Sequence, residues 1–515
     1  MSRPDVIVVG AGGSGAPLAA RLSEDSDRSV LVLEAGSVPR QRPRFARELL
    51  DARLVPGAQP GHPAIQPYTV HLTPGRPYTV VRGRVLGGST TVNGGYFVRA
   101  RREDFERWSA VGGAAWSYER VLPLLRSLET DLDHGEDESH GAEGPVRIRR
   151  IDLRHPAAAA FRSAARGLGF PEDPDKNAQG TPGFGPVPSN AVDGIRVNTG
   201  AGYLLGALDR PNLTVTGGSS VTRVVIERGR ATGVVVERDG RRTKVEGGEV
   251  VLCAGAFGSA QLLHLSGIGP GEELARLGIP VTVNSPAVGA RFGDHPQLVL
   301  EWLPRRPLPA PVGSWLGGCL HLSASDGDHP GGDLEILQSL VPMAGLTGGT
   351  ASVPGAPLAF LASVLSPRLG GRLRTVSADP ATPPRIDYGY LETGEDRRRL
   401  REVTRTTAEL VAAEAFEEVS RGLVEPGPEV LAEDGLLDRW IEARLGTSQH
   451  TCGTVPMGPA DDPGAAVDHY GRVHGVVGLR VADTSILPTP PLRGPAASAV
   501  LIGELVADAM RRDLP

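Results

Sequence analysis

Aromatic side chains make up only 4% of the 515 residues, and there are three cysteines. Cys253, Cys319 and Cys452 are odd in number, widely separated and form no metal-type pair at short spacing. A disulfide framework and a zinc knuckle are therefore excluded, and a reducing compartment is expected. Long apolar runs are missing too. No stretch approaches the ~18 to 20 apolar residues of a membrane span, and residues 6–9 are too short an apolar run for a secretory h-region, so they read as a buried strand. The expectation is a soluble cytoplasmic protein, with peripheral membrane contact left open. Neither sign of charge is in large excess. A net charge of -6 provides no electrostatic footprint for nucleic acid and no polybasic anchor for lipid.

What the chain does have is turn-forming material, with 68 Gly and 45 Pro beside 40% hydrophobic and 22% charged residues. That balance describes a globular protein with many structured loops rather than a disordered one. Its length allows about three domains by the ~150-residue rule of thumb.

Residues 6–9 run into Gly10-Ala11-Gly12-Gly13-Ser14-Gly15, and residues 16–22 then carry helical apolar spacing. Strand, glycine turn and helix in that order form the dinucleotide fingerprint: Gly10 for the tight turn, Gly12 for approach of backbone amides to a pyrophosphate, Gly15 for close helix packing. The helix N-terminus favours the negative charge. Pro17 is tolerated because it falls in the first turn. A second strand at residues 29–33 delivers Glu34, where a carboxylate can accept hydrogen bonds from an adenosine ribose and disfavours a 2'-phosphate. This pattern does not separate FAD from NAD.

Residues 40–80 show no sustained period and read as a long structured excursion. Residues 82–96 form a second glycine-rich segment, Arg82-Gly83-Arg84-Val85-Leu86-Gly87-Gly88-Ser89-Thr90-Thr91-Val92-Asn93-Gly94-Gly95-Tyr96, whose glycines allow backbone to lie against a flat ligand or make a tight turn. Helices are expected at residues 104–108 and 117–130. The acidic run at residues 131–140 reads as a solvated loop without fixed ligand geometry, and no metal site is expected. Residues 213–216, 221–227 and 232–237 read as strands consistent with a hairpin layered on the nucleotide-binding sheet, and residues 250–255 as another buried strand.

Near the far end lies Ser448-Gln449-His450-Thr451-Cys452-Gly453-Thr454-Val455-Pro456-Met457-Gly458. An imidazole titrates near neutrality, so it can take a proton from an alcohol and return it. A lone His is more often a satisfied core residue or a cap. Its company at other positions favours the catalytic reading.

Residues 255–270 resemble the second signature of the glucose-methanol-choline (GMC) oxidoreductases, residues 82–96 the first, and residues 5–36 the FAD-binding start. Further matches are Val288-Gly289 with Asp294-His295-Pro296, Asp379-Pro380 with Pro383-Pro384-Arg385-Ile386-Asp387, the His450 stretch, and residues 479–488. The resemblance implies an α/β fold with a Rossmann-like FAD-binding domain and a discontinuous substrate domain built on an antiparallel sheet. Residues 1–150, 201–295 and 446–515 would belong to the first, and 151–200 and 296–445 to the second. It also implies FAD as cofactor. Gly10, Gly12, Gly13, Ser14 and Gly15 would take the pyrophosphate, Glu34 the ribose and Val221 the adenine through its backbone. Gly88, Asn93, Asp483 and Thr484 would flank the isoalloxazine, and Ala35, Arg84, Gly94, Ala254 and Ala496 complete the cofactor-binding set. His450 corresponds to the family's proton-handling histidine. Where some relatives tether flavin through a His before the signature Asn, this chain has Val92, so FAD is expected to be non-covalent.

One departure matters. Family members commonly carry Asn or a second His where this chain has Ala496, which removes a hydrogen-bond partner of the substrate oxygen worth a few kcal/mol unless Arg493 or another group replaces it. His474 reads as structural. Within the family, Val92 to Phe97, Glu129 to Asp133, Gly200 to Leu204 and Arg493 to Ala497 are most similar to the branch associated with mycofactocin, a peptide-derived redox cofactor of actinobacteria. That implies oxidation of an alcohol by hydride transfer to flavin N5, with reduced mycofactocin as substrate and the respiratory chain as electron acceptor. The rivals are a general small-alcohol or choline-like dehydrogenase or oxidase, a lyase or redox-silent flavoprotein, and a nicotinamide enzyme.

Overall fold

The runs Val6–Val9 and Val30–Leu33 contain only Val, Ile and Leu and are buried throughout. A strand that is apolar on both faces has to lie between two covering layers, which places these runs in the middle of a parallel sheet. The structure, a computed structural model that describes residues 3–41, 44–327, 329–346 and 355–512, shows that sheet. Its strands stand in the order Leu213–Thr216, Val30–Leu33, Val6–Val9, Glu249–Leu252, Leu479–Val481, all paired in parallel. The helix Gly15–Leu22 follows the central strand, Gly255–Leu265 follows its neighbour, and Ala496–Arg511 follows the edge strand. Their first residues gather at the carboxyl ends of the strands, where open parallel sheets bind ligands.

A second, antiparallel sheet runs Ser420–Leu423, Pro296–Pro304, Leu358–Val364, Leu334–Ser339, Leu316–Leu322, Phe184–Pro186, with Gly446–Thr447 pairing at the start of Pro296–Pro304. The helix Gly394–Ala412, capped by the Thr393 side chain accepting from Asp396 N, packs on it through Leu400, Val403 and Leu410. The α/β reading with a Rossmann-like sheet and an antiparallel partner sheet therefore holds. Among the described residues, no helix is long and apolar enough to cross a membrane.

Several local expectations are corrected. Residues 40–80 are not an unpatterned excursion: Ile65–Thr73 and Arg76–Gly83 form a hairpin around a Pro74-Gly75 turn, with Gly75 at φ 77°. Pro67 and Pro77 hid the alternation, being tolerated in a strand pair that sits at the end of its sheet. Leu213–Thr216 belongs to the parallel sheet rather than to a hairpin, while Ser220–Glu227 and Arg230–Arg238 continue into a third, charged strand, Arg241–Glu246. The helices run Arg102–Gly112 and Tyr118–Ser127, and residues 129–131 form a short strand.

The largest correction concerns residues 131–140. Asp133, Glu136, Asp137 and Glu138 are exposed as expected of a solvated loop, but its two ends, Asp131 and His140, are buried. His140 Nδ1 lies 2.9 Å from Glu129 Oε1 and 3.0 Å from Asp131 Oδ2, and Nε2 lies 2.8 Å from Asp175 Oδ2. Arg99 pairs with Glu129 at 2.6 Å, and Arg150 with Asp131 at 2.7 Å and Asp175 at 2.5 Å. Three carboxylates thus face two guanidiniums, and a protonated His140 closes the balance. Burial opposes that charge, but the three carboxylates prevail and raise the imidazole pKa to about 10. The donor types suit a metal, yet the cations already present do a metal's work. Because the folded pKa lies above the ordinary value near 6.5, this contribution to stability is full below pH 6.5 and is lost as pH rises through 10. Unfolding free energies from urea denaturation between pH 6.5 and 10 should therefore fall more steeply in wild type than in His140→Gln, by on the order of 1 kcal/mol per pH unit. Parallel curves would contradict the charged clamp.

Candidate active site

Glycine geometry shapes one end of a cleft of about 790 Å³ at the carboxyl edge of the parallel sheet. Gly10 has φ 100°, and a Cβ there would lie 2.5 Å from Cys253 O. Gly15 is as constrained, with a Cβ landing 2.0 Å from Gly10 O, so helix and turn can close up only with glycine. At Gly12 an added Cβ would meet only Gly88 Cα at 3.8 Å, which leaves the backbone open to a ligand. Gly88 itself, at φ 52°, abuts Gly12, so the two glycine-rich segments touch backbone to backbone.

Gly10, Gly12, Gly13, Ser14, Glu34, Ala35, Arg84 and Gly88 line this end. Glu34 accepts from Ala11 N at 2.9 Å and Gly36 N at 2.8 Å; burial raises its carboxyl above the usual range, with those amides opposing. Val221 lines the cleft beside a break in strand register between Val221 and Arg223, which takes backbone groups there off the ladder. Gly15 is the exception among the expected residues. It does not line the cleft and serves only the helix–turn contact.

Asn93, Gly94, Ala254, Asp483, Thr484 and Ala496 line the other end with His450. Asn93 Oδ1 accepts from Gly95 N and from Arg196 Nη1, both at 3.0 Å. Arg196 was missed by sequence reasoning. It is buried, also donates to Asn93 O and to Leu54 O, and burial lowers its pKa to about 10. Gly94 O accepts from Trp315 Nε1 at 2.9 Å, and a Cβ at Gly94 would strike that indole at 2.7 Å. Asp483 spends its carboxylate inside the protein, accepting from Gly255 N, Ser259 Oγ and Ser485 N. The first residues of Gly255–Leu265 and Ala496–Arg511 also line the cleft, so their partial positive ends face it. A long groove with a bare glycine backbone, helix N-termini and a buried carboxylate 2 residues before a tight glycine contact at Gly36 suits an adenine dinucleotide.

His450 follows Gln449, a non-glycine residue at φ 62°. That backbone costs about 1–3 kcal/mol and is held because Gln449 Oε1 accepts from Val81 N at 2.8 Å. Asp294, buried, accepts at Oδ1 from His450 N (2.7 Å), His295 N (2.7 Å) and Thr447 Oγ1 (3.0 Å), and at Oδ2 from Thr451 Oγ1 (2.6 Å) and Tyr388 Oη (3.3 Å). The two imidazoles meet Nδ1 to Nδ1 at 2.9 Å, edge to face. The Cε1–Nε2 edge of His450 lies against Gly494, where a Cβ would sit 3.4 to 3.5 Å away. Burial first, and then the Arg82 guanidinium, lower the His450 pKa to about 3; His295 is also lowered to about 3, by burial and then by His450. Both rings are therefore neutral near pH 7.

Depressed histidine pKa values have the opposite linkage to that of His140. The stability of this pair is full above the ordinary value near 6.5 and is lost as pH falls toward 3. Stability should accordingly peak near pH 6.5; a denaturation series with its maximum below pH 5 would contradict the lowered pair, and one with its maximum above pH 9 would contradict the raised His140.

Arg493 does not fill in for the donor missing at Ala496. Its guanidinium is buried and donates to the carbonyls of Gly331, Gly332 and Leu492, outside the cleft lining. His474 is structural as expected, with Nε2 at 3.1 Å from Gly458 O. The three cysteines are free and buried.

Residues 5–297 and 367–503 match the N-terminal and C-terminal models of a family described as GMC oxidoreductase. A protein of Rhodococcus erythropolis described as an uncharacterized GMC-type oxidoreductase in the thcA 5' region is 40% identical, over 97% of this chain and 97% of its own length. An oxygen-dependent choline dehydrogenase of Rhizobium rhizogenes is 33% identical over 98% and 95%. The crystal structure of pyridoxine 4-oxidase from Mesorbium loti superposes with a TM-score of 0.90 at 28% identity, covering 99% of both chains. That of formate oxidase, at 24% identity and a TM-score of 0.89 over 99% and 98%, shares the fold.

Proposed function

The chain belongs to the GMC oxidoreductase family and is an FAD-dependent oxidoreductase, and from that premise we propose that it oxidises an alcohol to a carbonyl with His450 as proton acceptor, reduced mycofactocin being its substrate and a respiratory carrier its electron acceptor. The observation that carries the first part is His450 lining the cleft with its Nδ1 2.9 Å from that of the buried His295. One ring must donate and the other accept. His295 Nδ1 faces His450, and its other ring nitrogen, Nε2, is buried without a hydrogen-bond partner. Of the two arrangements, the one that serves proton transfer has His295 accepting at Nδ1 with its ring proton on Nε2. His450 then donates from Nδ1 and keeps a free lone pair on Nε2, at the edge beside Gly494.

In this arrangement His450 Nε2 takes the hydroxyl proton of the substrate, and the resulting imidazolium stabilises negative charge on the substrate oxygen. Bound non-covalently in the glycine-lined groove, FAD would supply the two-electron acceptor for the carbinol hydride. Asp294 holds the His450 backbone, Gln449 and Arg82 hold the turn, and Gly494 leaves room at the reacting edge. With Ala496 offering no donor, the imidazolium carries that stabilisation alone, or the substrate brings polarity of its own.

The mycofactocin assignment is supported by the segments around Asn93, Glu129, Gly200 and Arg493 that are similar to that branch. A choline-like reading is favoured by the choline dehydrogenase relatives. A quaternary ammonium, however, needs an anionic or aromatic cage; of the aromatic rings among the described lining residues, Tyr68, Tyr96 and Phe257, the last is already covered by the Arg82 guanidinium at 4.7 Å from its centroid. Gln297, which donates to Ser448 Oγ at 3.0 Å and Ser363 Oγ at 3.1 Å, is neutral. Anaerobic mixing of the holoprotein with reduced mycofactocin, choline and simple alcohols decides: mycofactocin should bleach the flavin fastest and choline least. Bleaching by choline at a comparable rate would transfer the assignment to the choline-like reading.

A further inference from the structure

Behind one wall of the cleft lies a chain of buried polar groups that the proton transfer at His450 does not use. Tyr96 lines the cleft, and its Oη donates to Glu335 Oε2 at 3.1 Å. His321 Nε2 lies 3.0 Å from the same carboxylate oxygen. His321 and Glu335 face each other on the neighbouring strands Leu316–Leu322 and Leu334–Ser339. On the far side of the ring, Lys176 Nζ lies 3.2 Å from Nδ1 and also donates to Gly183 O at 3.0 Å and Asp173 Oδ2 at 3.3 Å. Lys176, His321 and Glu335 are each at most 2% exposed.

The direction of the hydrogen bonds follows from the far end. An ammonium can only donate, so His321 Nδ1 accepts and the ring proton sits on Nε2. Glu335 Oε2 then receives two donors, His321 Nε2–H and Tyr96 Oη–H. Burial raises the Glu335 carboxyl, while the Arg493 and Lys176 cations and the Tyr96 hydroxyl oppose that rise. Cys319, His321 and Glu335 have the atom types of a cation site, but the nitrogen that would ligate is the one that Lys176 keeps protonated. With its proton committed inward, Tyr96 can offer the cleft only oxygen lone pairs. Two further neighbours of Tyr96 Oη are His321 Nε2 at 3.3 Å, whose single proton goes to the nearer Glu335 Oε2 at 3.0 Å, and Cys319 Sγ at 3.7 Å, a weak donor.

We propose that Tyr96, oriented by Glu335, His321 and Lys176, is a second polar subsite that accepts a hydrogen bond from a substrate hydroxyl other than the one oxidised, so that the enzyme selects polyhydroxylated alcohols. This rests on the alcohol-oxidising reading above and deepens it. It also provides substrate polarity where Ala496 gives none. A site built to accept a hydrogen bond discriminates against analogues lacking the donor, because its own buried groups are left unpaired.

The test uses the holoenzyme with propane-1,3-diol and propan-1-ol. Anaerobic stopped-flow reads the dissociation constant and limiting rate of flavin reduction, and titration of the oxidised enzyme, followed by the shift of its visible band, reads binding without turnover. Wild type should bind the diol about 10-fold or more tightly than propan-1-ol. Tyr96→Phe should weaken the diol by about 10- to 100-fold while leaving propan-1-ol within about twofold and the limiting rate little changed. Glu335→Gln, whose amide can donate to Tyr96 Oη and turn the phenol proton outward, should keep the diol, since a hydroxyl can also accept, but should newly favour the acceptor-only 3-methoxypropan-1-ol over propan-1-ol. Equal losses for both alcohols in Tyr96→Phe, or no diol preference in wild type, would overturn the subsite. If neither alcohol bleaches the flavin but the band shift retains a Tyr96-dependent diol preference, the oxidation reading fails and the subsite stands.

Discussion

Replacing His450 with Ala is expected to leave a folded, yellow protein whose flavin is reduced by substrate about 10²- to 10⁴-fold more slowly, the usual worth of a positioned general base. The fold should survive because the Asp294 bond is to the His450 backbone amide, which Ala retains. Bound flavin should survive because the glycine cradle at Gly10, Gly12 and Gly88 lies at the other end of the cleft. Substrate binding should change by less than the rate, since a base that acts mainly in the transition state contributes to kcat more than to KM. His450→Gln makes the comparison sharper. Its amide can still meet His295, but it cannot take a proton. It should be nearly as slow as Ala, and a Gln variant within about tenfold of wild type would mean that shape, not basicity, is what position 450 supplies.

The second large effect is expected at Asp294. Five donors converge on this buried carboxylate: two backbone amides and three hydroxyls. Asp294→Ala leaves the amides of His295 and His450 without a partner in a dry site. Each buried unsatisfied donor costs about 1–3 kcal/mol, so a loss of roughly 3 kcal/mol or more in unfolding free energy should accompany a large fall in the rate of flavin reduction. Asp294→Asn should behave differently. Its Oδ1 can keep the bonds to both amides and to Thr447, and its amide nitrogen can donate to the oxygens of Thr451 and Tyr388, whose hydroxyls can turn. We expect it within about 1 kcal/mol of wild type. Urea denaturation of the two variants separates the cases, and an Ala variant as stable as Asn would show that Asp294 does not hold the turn.

What could be read from the sequence was what is local. The strand, glycine turn and helix at residues 6–22 declare themselves because each piece constrains the next, and Gly10 at φ 100° and Gly12 facing open cleft serve as that spacing implies. Gly15 serves the close helix packing that the spacing implies, and it is the pyrophosphate contact implied by the resemblance that it does not make from the cleft wall. The hairpin Ile65–Thr73 and Arg76–Gly83 was hidden by prolines that break the usual strand signal. The clamp around His140 was illegible for another reason: its members come from positions 99, 129, 131, 140, 150 and 175, and only tertiary packing gathers the two ends of the acidic run with distant partners into a buried, charge-balanced cluster. Tyr96 belongs to this class as well. It ends a glycine-rich segment in the sequence, and nothing there ties it to Lys176, His321 or Glu335. Arg493 was open to a role at the substrate oxygen by proximity to Ala496, but the carbonyls of Gly331 and Gly332 draw its guanidinium away.

Chemical rescue tests the role of His450 most directly. In anaerobic stopped-flow, the His450→Ala holoprotein is mixed with substrate at increasing concentrations of free imidazole, which is small enough to occupy the volume vacated beside Gly494. If a neutral ring nitrogen at this place takes the hydroxyl proton, imidazole restores a substantial part of the lost rate of flavin bleaching, and the restored part grows with the neutral fraction of imidazole as pH rises through about 7. A variant that bleaches at nearly the wild-type rate without imidazole would contradict the account.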